Sequence, residues 1–118
     1  MIDEVKEVVN GSVELARAMG AKRAFELIPL CHPVRLDHVD VVAQLDPALP
    51  GIHVEATARA VGRTGVEMEA LTAVTVGLLT VYDMVKAAGH EMEIGEIRLL
   101  EKTGGTTGDW KWDKEATA

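Results

Sequence analysis

The sequence predicts an α+β domain: a ferredoxin-like antiparallel sheet with two helices on one face, lacking the usual first strand. Three observations carry that expectation. Two stretches read as strands, one of them alternating apolar and polar residues strictly, and two others hold helical periodicity. The elements fall in the order α-β-β-α-β. The chain has 118 residues, a length that suits one core, so residues 1–118 are read as a single domain.

Taken in order, Met1 to Val9 mixes acidic, basic and apolar residues until Asn10-Gly11 interrupts it. Ser12 offers an N-cap for a helix from Val13 to about Leu27, with Val13, Leu15, Ala16, Met19 and Ala21 on its apolar side. Ile28-Pro29 ends it, because proline disfavours helical geometry in the residue before it. His38 to Asp46 reads as a strand, with Val39 and Val42 prominent. Asp46-Pro47 to Pro50-Gly51 forms a loop. From Ile52 to Val61, Ile52, Val54, Ala56, Ala58 and Ala60 alternate with His53, Glu55, Thr57 and Arg59. That period of two predicts a half-buried strand, paired with the first as a hairpin.

Gly62-Arg63-Thr64-Gly65 marks a turn before the longest helix, Val66 to about Ala88, which Gly89 closes. Ile94 to Lys102 predicts a last strand, and a glycine-rich tail follows. From Ala70 to Tyr82 the long helix carries no charge on any side. A helix laid on a sheet is ordinarily polar on its far side. Either the whole helix is core, or a second copy of the chain covers it; the small domain favours the second, a homo-oligomer.

Composition narrows the function classes. A formal net charge of −7, with 47% hydrophobic and 26% charged residues, argues against a basic nucleic-acid face or a membrane-surface role. A small anionic ligand held by a local cluster of cations is compatible with it. The chain has one cysteine, which cannot form an intrachain disulfide and suits a reducing compartment. No basic-then-apolar leader opens the sequence, and the Ala70–Tyr82 run alone is too short to span a bilayer, so a cytoplasmic location without membrane contact is expected.

Asp83 and Lys86 follow the uncharged run three residues apart and share a helix face. They read equally as an ion pair marking the return to solvent, or as an acid-base pair. In the second reading, desolvation would lower the lysine towards neutrality. Glu69 projects from roughly the same side, about 21 Å away along the axis, too far to share one site with Asp83. Cys31-His32 gives no metal-ligand spacing. Pro33 holds His32 extended, so the two side chains point to opposite sides, and a rigid connector with a buried thiol is the simplest reading.

Several longer stretches nevertheless resemble one family. "AKR" at Ala21 to Arg23, "LIPLCHP" at Leu27 to Pro33, "GRTGVEMEALTAV" at Gly62 to Val74, "LTVYDM" at Leu79 to Met84 with Lys86, and "MEIG" before "IRLLEK" up to Lys102 resemble cyclic pyranopterin monophosphate synthases. The resemblance runs from about Ala21 to Trp110. It implies the ferredoxin-like fold, a homohexamer built as a trimer of dimers, and active sites between subunits.

It also implies a guanine-nucleotide-derived substrate, 3′,8-cyclo-7,8-dihydroguanosine triphosphate, rearranged to cyclic pyranopterin monophosphate with release of pyrophosphate in molybdenum cofactor biosynthesis. By the same resemblance Asp83, Lys86 and Lys6 are catalytic, and Leu30, Cys31, His32, Met68 and Glu69 contact substrate. Lys22 and Lys102 lie near the triphosphate. No cofactor is certain: the motifs imply no protein-held metal, and a magnesium ion held only by the substrate's phosphates would leave no ligand motif.

The chain departs from the family pattern in beginning near the first helix. It also departs at Ala24, where Thr is frequent, at Val85, where many members have Cys, and at Thr106, where a basic residue is common. A shortened, non-catalytic member that still assembles and binds nucleotide is the alternative expectation.

Overall fold

The computed structural model describes residues 19–60, 65–104 and 108–113. Lys6, the first part of the expected N-terminal helix and the turn at 61–64 lie outside the described residues.

The central unit is the expected hairpin. Strands β1 (His38–Asp46) and β2 (Gly51–Arg59) pair antiparallel, with Val41 opposite Ala56 and Ala43 opposite Val54. Directly opposed residues share a face, so Val39, Val41, Ala43 and Leu45 line up with Ala58, Ala56, Val54 and Ile52 on one side of the ribbon. Val41, Ala43 and Val54 are buried there. Val42, singled out from sequence, belongs to the opposite side and is exposed. In the turn, the Ala48 N–H donates to Asp46 Oδ1 at 2.9 Å, the local bond that makes Asp a turn former.

The N-terminal helix is less continuous than its periodicity predicts. Met19 and Gly20 are helical, residues 21–23 form a turn, and a short helix α1 follows at Ala24–Leu27. The break comes just after Gly20, the residue type costliest to hold in a helix interior apart from proline. Glycine has a reason to be there: a Cβ at position 20 would lie 3.1 Å from Ala73 Cα and 3.2 Å from Val76 Cβ. Ala21 and Ala24 are buried beside that contact.

Helix α2 (Glu67–Val85) runs into a 3-10 turn at Lys86–Ala88. It buries Glu69, Thr72, Ala73, Gly77 and Val81, a line at helical spacing facing the hairpin. Gly77 lets the helix approach closely, since a Cβ there would meet Val54 Cγ1 at 3.2 Å. The hydroxyls of Thr75 and Thr80 donate to the carbonyls of Leu71 and Val76 at 2.7 Å, which explains how threonines sit in an apolar helix without other partners.

The far flank is not covered: Leu79 is 56% exposed and Met84 45%. By length and hydropathy the 22-residue stretch Glu67–Ala88 would itself pass for a membrane span, which the 70–82 run alone would not. Its close seat on β2 and its buried Glu69 are features of a helix laid on a hairpin.

The expected last strand is reduced to β3 (Glu101–Lys102), which pairs with β4 (Trp110–Lys111) rather than with the hairpin. Two separate two-stranded ribbons result, in place of one continuous sheet. Residues 94–100 form no strand in the described structure; of their backbone groups, the Leu100 carbonyl accepts one bond from the Trp112 N–H, just past the β3–β4 ladder. The α+β class stands.

Candidate active site

Of the described residues singled out from sequence, Asp83 and Lys86 stand at one end of α2, and Met68, Glu69, Cys31 and Lys102 at the other. At its C-terminal end, Lys86 Nζ donates to Asp83 Oδ1 at 2.8 Å, an i,i+3 pair on one helix face. Both side chains are more than half exposed in the single chain. The Asp83 carboxylate, through that hydrogen bond and its charge, holds Lys86 above its ordinary value. This reverses the expected lowering by desolvation: the partner charge is present, but the helix end is not buried. As it stands the pair is an ammonium donating to a carboxylate.

The N-terminal end is better enclosed. Glu69 is 4% exposed, and the Cys31 thiol donates to its Oε2 at 3.5 Å. Burial, and then the nearby Glu69 charge and its hydrogen bond, push the thiol upward, so Cys31 favours its neutral form. The segment from Cys31 to Leu36 has no regular secondary structure. His32 is exposed while Cys31 is partly buried towards α2. Leu30 stands almost wholly in solvent at 91%, and Met68 is exposed beside Glu69.

A third group joins the same end. Lys102 Nζ lies 3.0 Å from Glu67 Oε1, with both side chains less than a third exposed. The hydrogen bond from Lys102 holds the Glu67 carboxyl below its ordinary value, outweighing its partial burial. Gly65 makes room for this pair, since a Cβ there would run into the Glu67 carboxylate as it now lies. Glu67 was missed in sequence, although it lies inside the quoted "VEMEAL" motif. The signal that could have found it was the glycine two residues earlier, just outside a helix start.

The structure therefore joins Cys31 with Glu69, and brings Lys102 to Glu67 on the same first turn. It leaves Lys22 exposed in the turn after Gly20. It keeps Asp83 and Lys86 at the far end of the helix, about 20 Å away along the axis. The depression lined by Asp40, Val42, Gln44, His53, Glu55 and Thr57 is on the outer face of the hairpin and includes none of these residues.

Fold and side chains define an α+β chain with an Asp83–Lys86 ion pair at one end of its core helix and a carboxylate, thiol and ammonium cluster at the other. Comparison with known proteins makes the class specific. Residues 4–105 match the model of the MoaC family, and the chain belongs to that family. The match reaches further towards the N-terminus than the motifs did and takes in Lys6.

A cyclic pyranopterin monophosphate synthase of Roseiflexus sp. is 56% identical over 108 residues, covering 92% of this chain and 68% of the relative. Proteins of the same name from Brucella ovis and Brucella melitensis are each 58% identical over 102 residues, covering 86% of this chain and 62% of theirs. The chain thus spans about two thirds of the length of these relatives.

Proposed function

We propose that the chain is a cyclic pyranopterin monophosphate synthase, a lyase of molybdenum cofactor biosynthesis. Its substrate in this reading is 3′,8-cyclo-7,8-dihydroguanosine triphosphate. The observation that carries the reading is the family match across residues 4–105, joined to the 2.8 Å Asp83–Lys86 pair on the core helix. The reaction opens the purine-derived ring and builds the pyranopterin. It closes a cyclic phosphate when a sugar hydroxyl attacks the α-phosphorus, breaking the bond to the β-phosphate oxygen and releasing pyrophosphate.

Each step has a chemical demand that these residues meet. Proton transfers need a carboxylate beside a tunable amine, supplied by Asp83 and Lys86, with Lys6 as a further amine. The leaving pyrophosphate needs cations, supplied by Lys102 and Lys22. Leu30, Cys31, His32, Met68 and Glu69 form the wall against the pterin, with exposed His32 and Met68 touching it and Cys31–Glu69 bracing it from behind.

The carboxylates of Asp83, Glu67 and Glu69 already face Lys86, Lys102 and Cys31. A magnesium ion accompanying the substrate would therefore be held by the triphosphate, and would supply charge neutralisation there, without drawing on these carboxylates.

A complete site draws on more than one copy, in a homohexamer arranged as a trimer of dimers. One end of α2 serves one site and the other end a symmetry-related site. The uncovered flank of α2 supports this reading, and so does the exposure of the Asp83–Lys86 pair. Cover from a second chain would add the desolvation that brings Lys86 down towards neutrality. Assembly would also extend the ribbons towards the ferredoxin-like sheet. The reading is of a cytoplasmic enzyme that binds neither nucleic acid nor membrane.

Incubation with the cyclised GTP intermediate, following pyrophosphate and pterin product, tests this. Turnover by the oligomer is expected, and an intact oligomer that makes no product overturns it. The second reading is a member that binds the intermediate without converting it. Binding without product formation would select that one.

A further inference from the structure

Lys102 reaches Glu67 from a ribbon that cannot hold itself. Strands β3 and β4 have two residues each, and a two-stranded ribbon of that size is not stable through its ladder alone. Contacts outside the ladder brace it, among them three between described residues. The Trp112 N–H donates to the Leu100 carbonyl at 2.9 Å, and the Gly104 N–H donates to Asp109 Oδ1 at 2.9 Å. The Arg98 guanidinium lies over the Trp112 ring, 4.2 Å from its centroid. The last is the only one of the three in which two side chains lock the two arms together. Trp112 lies beyond residues 4–105, outside the family match.

We propose that the Arg98–Trp112 stack is a positioning device for Lys102: by clamping the arms of the β3–β4 ribbon, it fixes the Lys102 amine beside Glu67, where it meets the phosphates of the ligand. Arg98 and Trp112 act through Lys102 and touch no phosphate themselves. The inference rests on the reading of Lys102 as a phosphate-site lysine.

The geometry explains the tryptophan. Glu101 pairs with Lys111 and Lys102 with Trp110, so Trp112 sits one step past the last pair, beside Leu100. Arg98 lies two residues before Leu100. The stack therefore closes the open end of the ribbon, which the two paired steps leave unsecured. A cation over an indole face is a favourable contact that also excludes water from one side of the ring. If the stack opens, the ribbon frays from that end, and Lys102 spends less time in the geometry that its 3.0 Å contact with Glu67 records.

The test is calorimetric titration of inorganic pyrophosphate into the full chain, comparing the parent protein with Trp112→Ala, Trp112→Phe, Arg98→Gln, Lys102→Ala and Trp112→Ala/Lys102→Ala. Trp112→Ala and Arg98→Gln are expected to weaken binding about two- to fivefold, the equivalent of one exposed cation-π contact. Trp112→Phe should keep most of the affinity. In the double variant, Trp112→Ala should add nothing to Lys102→Ala, because a positioning residue has no effect once its target is gone.

Circular-dichroism melting identifies any variant that is not folded; Arg98→Gln leaves the indole in place and carries the test if Trp112→Ala melts early. Additive effects, or unchanged affinity in both stack variants while Lys102→Ala binds weakly, overturn the positioning role alone. Failure of the parent chain to bind pyrophosphate, or full affinity in Lys102→Ala, overturns the phosphate-site reading beneath it.

Discussion

The two ends of α2 carry the same kinds of group in opposite settings. At the N-terminal end the carboxylates of Glu69 and Glu67 are buried or half-buried and meet a thiol and an ammonium delivered by distant parts of the chain. At the C-terminal end Asp83 and Lys86 meet each other from adjacent helix turns, in solvent. The first end is built by tertiary structure within one chain. The second is built by local sequence and is still open to whatever covers it. Groups paired by tertiary packing and groups paired locally in solvent are thereby separated, and substitutions at the two ends should fail differently.

The largest effect is expected at the exposed end. Asp83→Asn or Lys86→Ala should lower turnover by about 10²- to 10⁴-fold, the span of a general acid-base contribution. Melting temperature and oligomer mass should stay as in the parent, since neither side chain is buried in the core. Activity assays beside mass photometry and melting check this. Full activity in both variants would remove the pair from the mechanism, and collapse of the fold would erase the contrast between the two ends.

A smaller effect, on stability, is expected at the enclosed end. Glu67→Gln breaks the contact with Lys102 and should cost about 1 kcal/mol near neutral pH. The sign of its pH dependence follows from the direction of the shift. Lys102 holds Glu67 below its ordinary value of 4.5, so the contribution is complete above that value. It disappears as pH falls through the lower folded value. Urea unfolding of parent and variant should therefore differ at pH 7, and the difference should shrink as pH falls below 4.5, vanishing once the carboxyl is protonated in the folded state as well. A difference that persists in acid would show that Glu67 stabilises by packing instead.

The smallest effect concerns Cys31. Burial and the Glu69 carboxylate keep the thiol protonated, so alkylation by iodoacetamide at pH 8 should be slower than for a free thiol. Glu69→Gln removes the charge and should speed it, while burial, the larger cause, still holds the rate below that of a free thiol. Equal rates before and after substitution would mean that the Cys31–Glu69 contact does not govern the thiol.

Much of this was legible in the residues. Strict alternation from Ile52 to Ala60 marked β2, and the uncharged run bounded by Glu69 and Asp83 marked α2. The Asp83–Lys86 spacing alone placed those two groups within hydrogen-bond reach. What failed was what depends on a neighbour. Ile94 to Leu100 has strand-like composition but forms no strand in the described structure, and the helix before Leu27 breaks after Gly20, against α2. Glu67 looked like one more charge in a helix's first turn until Lys102 was found against it. Trp112 looked like tail until Arg98 was found over its ring.

By itself the sequence determined the helix and hairpin, through periods of 3.6 and 2, and the family, through long ordered motifs. It also determined the Asp83–Lys86 ion pair, because residues three apart on a helix share a face. Tertiary structure alone decided which carboxylate Cys31 and Lys102 would meet, since those partners are far apart in the chain and only packing sets their distance. It also decided the charge preference of Lys86: an amine's protonation follows its surroundings, and in the single chain those surroundings are a carboxylate and water.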